Sequence, residues 1–406
     1  MIPSKFCKPR IFPANSARVP EQCDRIQDIG MDLTLNREKQ HEIGRVGILA
    51  YKEGTPALAY SMRQFEFGDM ALWYAMANKA GTPNYVSLDD FKTNTFDIAA
   101  FLTDDNDTFR GTIVLPKLRV NGFSINIGDP DAIVERNFDL VGEDKKLLDE
   151  KYYAYDSLAV IDADPIQTLT LDPIAVEYAT GKFVSKVLRV RAGAVSELEE
   201  DATSTYDANT WRYSAGAVIV QTCENGDLIK VYYVSSTAYD TLWTDHNEPS
   251  YSNFLLADSC TILMKVGVGD AAKIYRLQSV GTDIAFERAD YKEIGNSEIV
   301  LRGSKTETVT IALNKFAEDL TLERILAGGG TDVLIDPRDF VDTIQLRIEV
   351  YEDKTKETFK IGYLMTGLTP TTLGTTQAVE DYQVRTTNLE GANCKISHLI
   401  AQLAWL

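Results

Sequence analysis

The sequence predicts a mainly β protein with short helices: two tandem β-sandwich or barrel-forming domains, with a β-rich domain inserted between them. Three observations carry this. First, Arg25 to Gly44 (RIQDIGMDLTLNREKQHEIG) and Arg276 to Gly295 (RLQSVGTDIAFERADYKEIG) agree at eight of twenty positions at a constant offset of 251. The identities are Arg25/Arg276, Gln27/Gln278, Gly30/Gly281, Asp32/Asp283, Arg37/Arg288, Glu42/Glu293, Ile43/Ile294 and Gly44/Gly295. Unrelated segments of average composition would share about one or two. Second, Leu58, Tyr60 and Met62 alternate with more polar neighbours, and so, 251 residues on, do Val309, Ile311 and Leu313. Such alternation buries one face of a strand and leaves the other outside. Third, residues 150–272 have no counterpart within either copy. A unit carried twice points to ring or array architecture rather than to a single catalytic cleft.

Taken in order, residues 1–21 read as an extended arm, because Pro3, Pro9, Pro13 and Pro20 interrupt any helix. The arm suits docking on a neighbouring subunit and lacks the apolar core of a signal peptide. Residues 22–148 form the first domain, in the order strand, loop, strand, strand, helix, strand, hairpin, strand. Met70, Trp73, Tyr74 and Met76 fall at helical spacing within Gly68–Lys79. Residues 149–272 form the inserted domain, where Val187–Val190, Ala215–Gln221 and Phe254–Met264 read as strands. Asn225-Gly226 ahead of Leu228–Tyr233 predicts a hairpin.

Residues 273–394 form the second domain, with a helix over Glu318–Leu326, and residues 395–406 a tail. Asp339-Phe340 answers Asp90-Phe91, and Thr358-Phe359 answers Thr108-Phe109. Leu389 with Gly391 answers Leu140 with Gly142. Phe96, Ile98 and Ala100 align with Leu346, Ile348 and Val350, which sets Asp97 and Ala99 against Arg347 and Glu349.

A formal net charge of −19 opposes tight nucleic-acid binding, which needs a basic face against phosphate. It is compatible with a wall past which a polyanion slides. No apolar run reaches the length of a membrane helix. The five cysteines (Cys7, Cys23, Cys223, Cys260, Cys394) show no CxxC spacing and are expected as reduced thiols in a protein assembled in the cytoplasm. His41, His246 and His398 are the three histidines; Cys394 with His398 makes half a zinc site. Gly328 to Gly330 follow a helix, the wrong end for phosphate. The acidic run Asp104-Asp105-Asn106-Asp107 reads as a solvated hairpin tip, matched by Glu352-Asp353-Lys354-Thr355. No catalytic residue, metal or cofactor is expected.

The segments EIGRVGILAYKEGTPALAYSMRQFEFGDMAL and EIGNSEIVLRGSKTETVTIALNKFAEDLTLERIL, each followed by an alternating hairpin and a last strand (AIVERNFDLVGED, DYQVRTTNLEGAN), resemble the tail tube proteins of bacteriophages. The likeness covers both copies and is closest to the siphophage type of major tail protein, with a duplicated tube domain. It implies strands closing a barrel around a channel, homotrimeric rings of pseudo-six-fold symmetry, and rings stacked into a tube that delivers DNA. It further implies residence in the virion tail, tape measure and tail terminator proteins as partners, DNA passing without specific binding, and no membrane. Carried over by position, the loops Arg37–Gly44 and Arg288–Gly295 are the ring-stacking loops, and Arg37, Glu42, Arg288 and Glu293 their inter-subunit residues. Alternatives are a distal tail or baseplate ring, or a β-sandwich protein that binds a receptor or carbohydrate through Trp211, Trp243 and nearby tyrosines. An enzyme ranks last.

Overall fold

The computed structural model describes the chain apart from residues 1–6, 15–18, 41–49, 54–55, 67, 80–82, 105, 107, 130, 163, 202–208, 238–254, 268, 292–300, 317–319, 328–335, 337–339, 341–342, 377–382 and 406. Its first part contributes β1 (Cys7–Pro13), β2 (Glu21–Gln22), β3 (Ile26–Thr34), β4 (Arg37–Gln40), β5 (Ala50–Glu53), β6 (Ala57–Phe65), α1 (Ala71–Met76), β7 (Val86–Ser87), α2 (Asp89–Lys92), β8 (Phe96–Thr103), β9 (Phe109–Ile127), β10 (Glu135–Gly142) and β11 (Lys146–Asp149). The central part adds β12 (Tyr152–Ala159), β13 (Gln167–Thr170), β14 (Val184–Arg191), β15 (Ala194–Glu200), β16 (Thr210–Ser214), β17 (Ala217–Val220) and β18 (Leu228–Ser235). The last part holds β19 (Cys260–Val266), β20 (Ala272–Lys273), β21 (Leu277–Tyr291), β22 (Leu301–Phe316), α3 (Thr321–Leu326), β23 (Ile344–Tyr351), β24 (Phe359–Thr376), β25 (Val384–Gly391) and β26 (Asn393–Ser397). The fold is mainly β, as its alternation predicts.

Antiparallel pairing runs β3–β6–β10–β9–β21–β22–β25–β24, so one sheet crosses from the first part of the chain to the last. The amino-terminal halves of β9 and β24 leave this sheet and enter outer ones: β2–β1–β8–β9–β11 and β20–β19–β23–β24–β26. Short β7 crosses over to pair with β26, Val86 opposite Ile396. Between the layers lies one continuous apolar core drawn from both parts of the chain. Trp73 on α1 is its hub, set edge-on to Phe123, Phe138 and Tyr363. Beside it a fully buried Arg136 meets Glu66 at 3.3 Å and Gln64 at 2.9 Å, and Tyr363 donates to Glu66 at 2.6 Å. An unpaired charge there would be costly, so this cluster fixes how the two parts sit.

Irregularities recur at matching positions. The bulge between Ile26 and Asp28 is matched between Leu277 and Ser279, and the one between Leu102 and Thr103 between Val350 and Tyr351. Arg25 and Arg276 both have positive φ, 54° and 61°, and each carbonyl accepts from the amide of Phe65 or Phe316. A non-glycine residue rarely adopts that conformation, so its recurrence is informative.

The pairing also corrects four expectations. β8 aligns with β23 two residues earlier than the sequence match suggested: Ile98 lies opposite Leu115, and Leu346 opposite Met365. Asp97 therefore answers Gln345, and Ala99 answers Arg347. A shift of two keeps each side chain on its face, which is why alternation could not reveal it. Residues Cys7–Pro13, read as part of an arm, are a buried strand paired with β8; the corresponding strand is β19, Cys260 standing where Cys7 stands. The strand expected at Phe254–Met264 thus joins β23, not the insertion. Asn225-Gly226 makes a turn, but β17 and β18 on either side of it do not pair. The hairpins of the insertion turn instead at Ala192-Gly193 and Ala215-Gly216, all four residues with positive φ.

The insertion is a seven-stranded unit with its own core, and Trp211 lies buried inside it, donating to the Leu198 carbonyl at 3.0 Å. That removes Trp211 from any binding surface; Trp243 lies outside the described residues. The insertion is held to the outer sheet by a buried cluster. Lys186 meets Asp97 at 2.6 Å, and Tyr153 donates to the same carboxylate at 2.9 Å. Lys230 and Tyr232 both donate to the Pro13 carbonyl, at 2.6 and 2.8 Å.

Candidate self-assembly interface

The eight-stranded sheet ends at β3 on one side and at the carboxyl-terminal half of β24 on the other, and among the described residues neither outer edge has a partner strand. Exposed edges of this length invite pairing with another chain. The sheet contains its own picture of how such edges meet. At its centre β9 and β21 join antiparallel, with Phe123 opposite Ile284 and Ser124 opposite Asp283. Through their shared partners, β21 corresponds to β3 and β9 to β24: Tyr60 lies opposite Leu140 just as Ile311 lies opposite Leu389.

Burial separates the joined edges from the open ones. Phe286 is 3% exposed but Leu35, its counterpart on the open edge, is 52% exposed. Val280, Thr282 and Ile284 are buried, whereas Ile29, Met31 and Leu33 are only half-buried. On the opposite edge, Phe123 is 1% exposed and Leu373 39%. Apolar side chains aimed at the core side stay wet only where no neighbouring strand covers them. The outer layer repeats this: Ile396 on β26 is covered by β7, while Leu147 on β11 is 73% exposed.

The sheet face turned away from the core carries Asp28, Asp32, Glu135, Asp139, Asp283 and Glu390 against two guanidinium groups, Arg63 and Arg119. Asp139 and Asp283 approach across β9; burial, then the neighbouring Asp283, push the Asp139 carboxyl above its ordinary range. Where the first part opposes Asp28 to Arg63, the last opposes Ser279 to Asn314, whose amide donates to the serine at 2.8 Å. Asp104 accepts from the amides of Asn106 and Thr108 and from Arg110, which hold it at about 2. That is a solvated turn.

Of the residues expected at ring-stacking loops, Arg37 and Arg288 are described, and Glu42 and Glu293 lie outside the described residues. The segments are not loops at their base but extensions of a hairpin: Arg37 opposite Glu53 in β4–β5, and Arg288 opposite Ser304 in β21–β22. Arg288 reaches main-chain acceptors. Its guanidinium donates to the carbonyls of Lys92 (2.5 Å), Phe91 (3.1 Å) and Val120 in the first part of the same chain. Composition offered no signal for this, because the acceptors are main-chain atoms.

The cysteines are free, and burial pushes the thiols up, Cys7 to about 11 and Cys394 to about 12. His398 is engaged by the Tyr74 hydroxyl at 2.9 Å. No helix among the described residues is long and apolar enough to cross a membrane.

No family model matches the chain, and no curated protein matches it. Among solved structures it is similar to a chain of the anti-feeding prophage baseplate, seen by cryo-electron microscopy with six-fold symmetrisation. The identity is 16%, over 35% of this chain and 91% of that one, with a TM-score of 0.28.

Proposed function

We propose that this chain is a structural, non-enzymatic subunit that assembles with copies of itself into a closed ring, and that stacked rings form the tail tube of a bacteriophage. The observation that carries the reading is the contrast between the joined and open edges of the eight-stranded sheet. Residues buried at β9–β21 have counterparts on β3 and β24 that only another copy of the same chain would bury in the same register.

Ring size follows from strand spacing. At about 4.8 Å between strands and a tilt near 40°, three such sheets enclose a bore of roughly 40 Å between side chains, while two leave only about 20 Å. Three copies therefore give a hydrated duplex room to pass. The predominance of carboxylates on the face away from the core repels phosphate, which suits passage without retention. On this reading the insertion, docked on the outer sheet, decorates the outside, and the tape measure and terminator proteins meet the tube at its bore and its end.

Cysteines at Asp32 and Gly374, the counterparts of the opposed pair Asp283 and Ser124, test the ring. Under oxidation, D32C with G374C is expected to yield a covalent three-chain species on a non-reducing gel, and negative-stain images of rings. A monomer that stays monomeric at high concentration, without cross-links, would refute the reading.

A further inference from the structure

We infer that Arg324 and Asp149 form an ion pair between two copies of the chain, Arg324 on α3 of one copy reaching Asp149 at the end of β11 in the next. The inference rests on the ring reading above, and it adds a contact in the outer layer to the open edges of the inner sheet. The template lies inside the chain. Across the covered junction, α1 of the first part meets the residue just past β26 in the last part: the Tyr74 hydroxyl and His398 Nδ1 lie 2.9 Å apart. Arg324 stands where Tyr74 stands, and Asp149 where His398 stands.

Hydrogen bonding fixes both matches. In the helices, the Tyr74 amide donates to the Met70 carbonyl as the Arg324 amide donates to that of Leu320. One residue earlier, the ring of Trp73 lies 5.7 Å from Arg136 Cζ, and Glu323 in the same place meets Arg385 at 2.7 Å. Those arginines are themselves matched, one opposite Gln64 and the other opposite Lys315. In the strands, Asp149 lies opposite Gly111, which faces Leu102. The matching bulge falls at Val350, which faces Ile361, and Ser397 lies opposite Gly362, so the residue answering Asp149 is His398.

Burial separates the two settings once more. Met70 at the start of α1 is 5% exposed, whereas Leu320 at the start of α3 is 45% exposed. Arg324 and Asp149 are both exposed, and among the described residues neither has an ionic partner within the chain. Where the covered junction joins a phenol to an imidazole, the open one offers a guanidinium to a carboxylate, opposite charges whose shapes allow two parallel hydrogen bonds. The neighbouring cation is already engaged: Arg110, which stands where Lys360 stands, is held by Asp104 as Lys360 is held by Glu352.

The test uses the full chain and three charge variants, with light scattering across a concentration series and thermal unfolding of the dissociated monomer. Arg324→Glu and Asp149→Arg, made singly, each set like charges against one another across the junction. Each should raise the concentration for half-assembly by about tenfold and leave monomer melting unchanged, because both side chains are already in water. The deficits should shrink at high salt. Combining the two reversals restores opposite charges and should return half-assembly to within about threefold of the unaltered chain. If the unaltered chain assembles and the single reversals assemble equally well, or if the combined reversal is as weak as the two deficits added, the pair is wrong and the ring stands. If the unaltered chain never assembles, both fall.

Discussion

Lys117 and Gly367 turn the two longest strands through the same corner. Each has positive φ, 52° and 67°, at the point where β9 or β24 passes from an outer sheet to the long inner one. The Lys117 amide is held by Asp97 Oδ1 at 2.9 Å, which keeps an L-residue in a conformation that favours glycine. An added Cβ at Gly367 would meet nothing within 4 Å, so any penalty there is conformational rather than steric. Gly367→Ala should cost about 1 kcal/mol in denaturant unfolding, and Lys117→Gly should stay within about 0.5 kcal/mol of neutral. Equal losses at both corners would mean that the side chain of Lys117, not the backbone, sets the bend.

The β9–β21 junction is tight. A Cβ on Gly122 would lie 2.7 Å from the Ile284 carbonyl oxygen, whereas Thr372 occupies the corresponding place on β24. Gly122→Thr should therefore destabilise the monomer by about 1–3 kcal/mol, the range for overpacking. Thr372→Gly should leave the monomer fold intact and lower the concentration at which chains associate. Light scattering on Thr372→Gly checks the second outcome; weaker association would separate the two junctions in kind.

Leu147 offers a surface test in the outer layer. Leu147→Asp should leave the melting temperature of the monomer within a degree or so, because the side chain is already in water. It should weaken self-association. Ile396→Asp, at the corresponding but covered position, should unfold the carboxyl-terminal part, since it would bury an unpaired carboxylate. Retained association by Leu147→Asp would show that the outer sheets do not meet between copies.

Asp139 gives a pH dependence with a definite sign. Its folded value lies above its unfolded one, so the native state carries a penalty whenever the carboxyl is ionised. Asp139→Asn, which places in β10 the residue that β25 has at Asn388, should raise the melting temperature at neutral pH. The gain should shrink as pH falls through the carboxylate range and vanish below it, where both states are protonated. A gain that persists at pH 3 would have to come from packing.

Alternation in β6 and β22 made the core-facing residues legible, because one face of each strand is buried and the period is two. The fold class followed from that. Register did not: the true alignment of β8 with β23 differs by two residues, a shift to which a two-residue period is blind. Asn225-Gly226 misled because a turn sequence specifies local backbone, while strand pairing is decided by distant partners. Ala192-Gly193 and Ala215-Gly216, the true hairpin turns, carried a weaker version of the same signal. The recurrence of Arg37 as Arg288 was legible, but nothing in composition showed that Arg288 would reach main-chain carbonyls of the first part. The open edges were invisible, since exposure of Leu35 or Leu373 is a property of what lies beside them.

The shared strands have a mechanical consequence. β9 and β24 each run unbroken through two sheets, so the layers have no hinge line at which they could shear apart. Load applied to one wall travels along covalent backbone to the other, as through the web of a girder. Flexing this molecule therefore means bending both faces together, and local softening at the corner residues would be felt as slack in the whole.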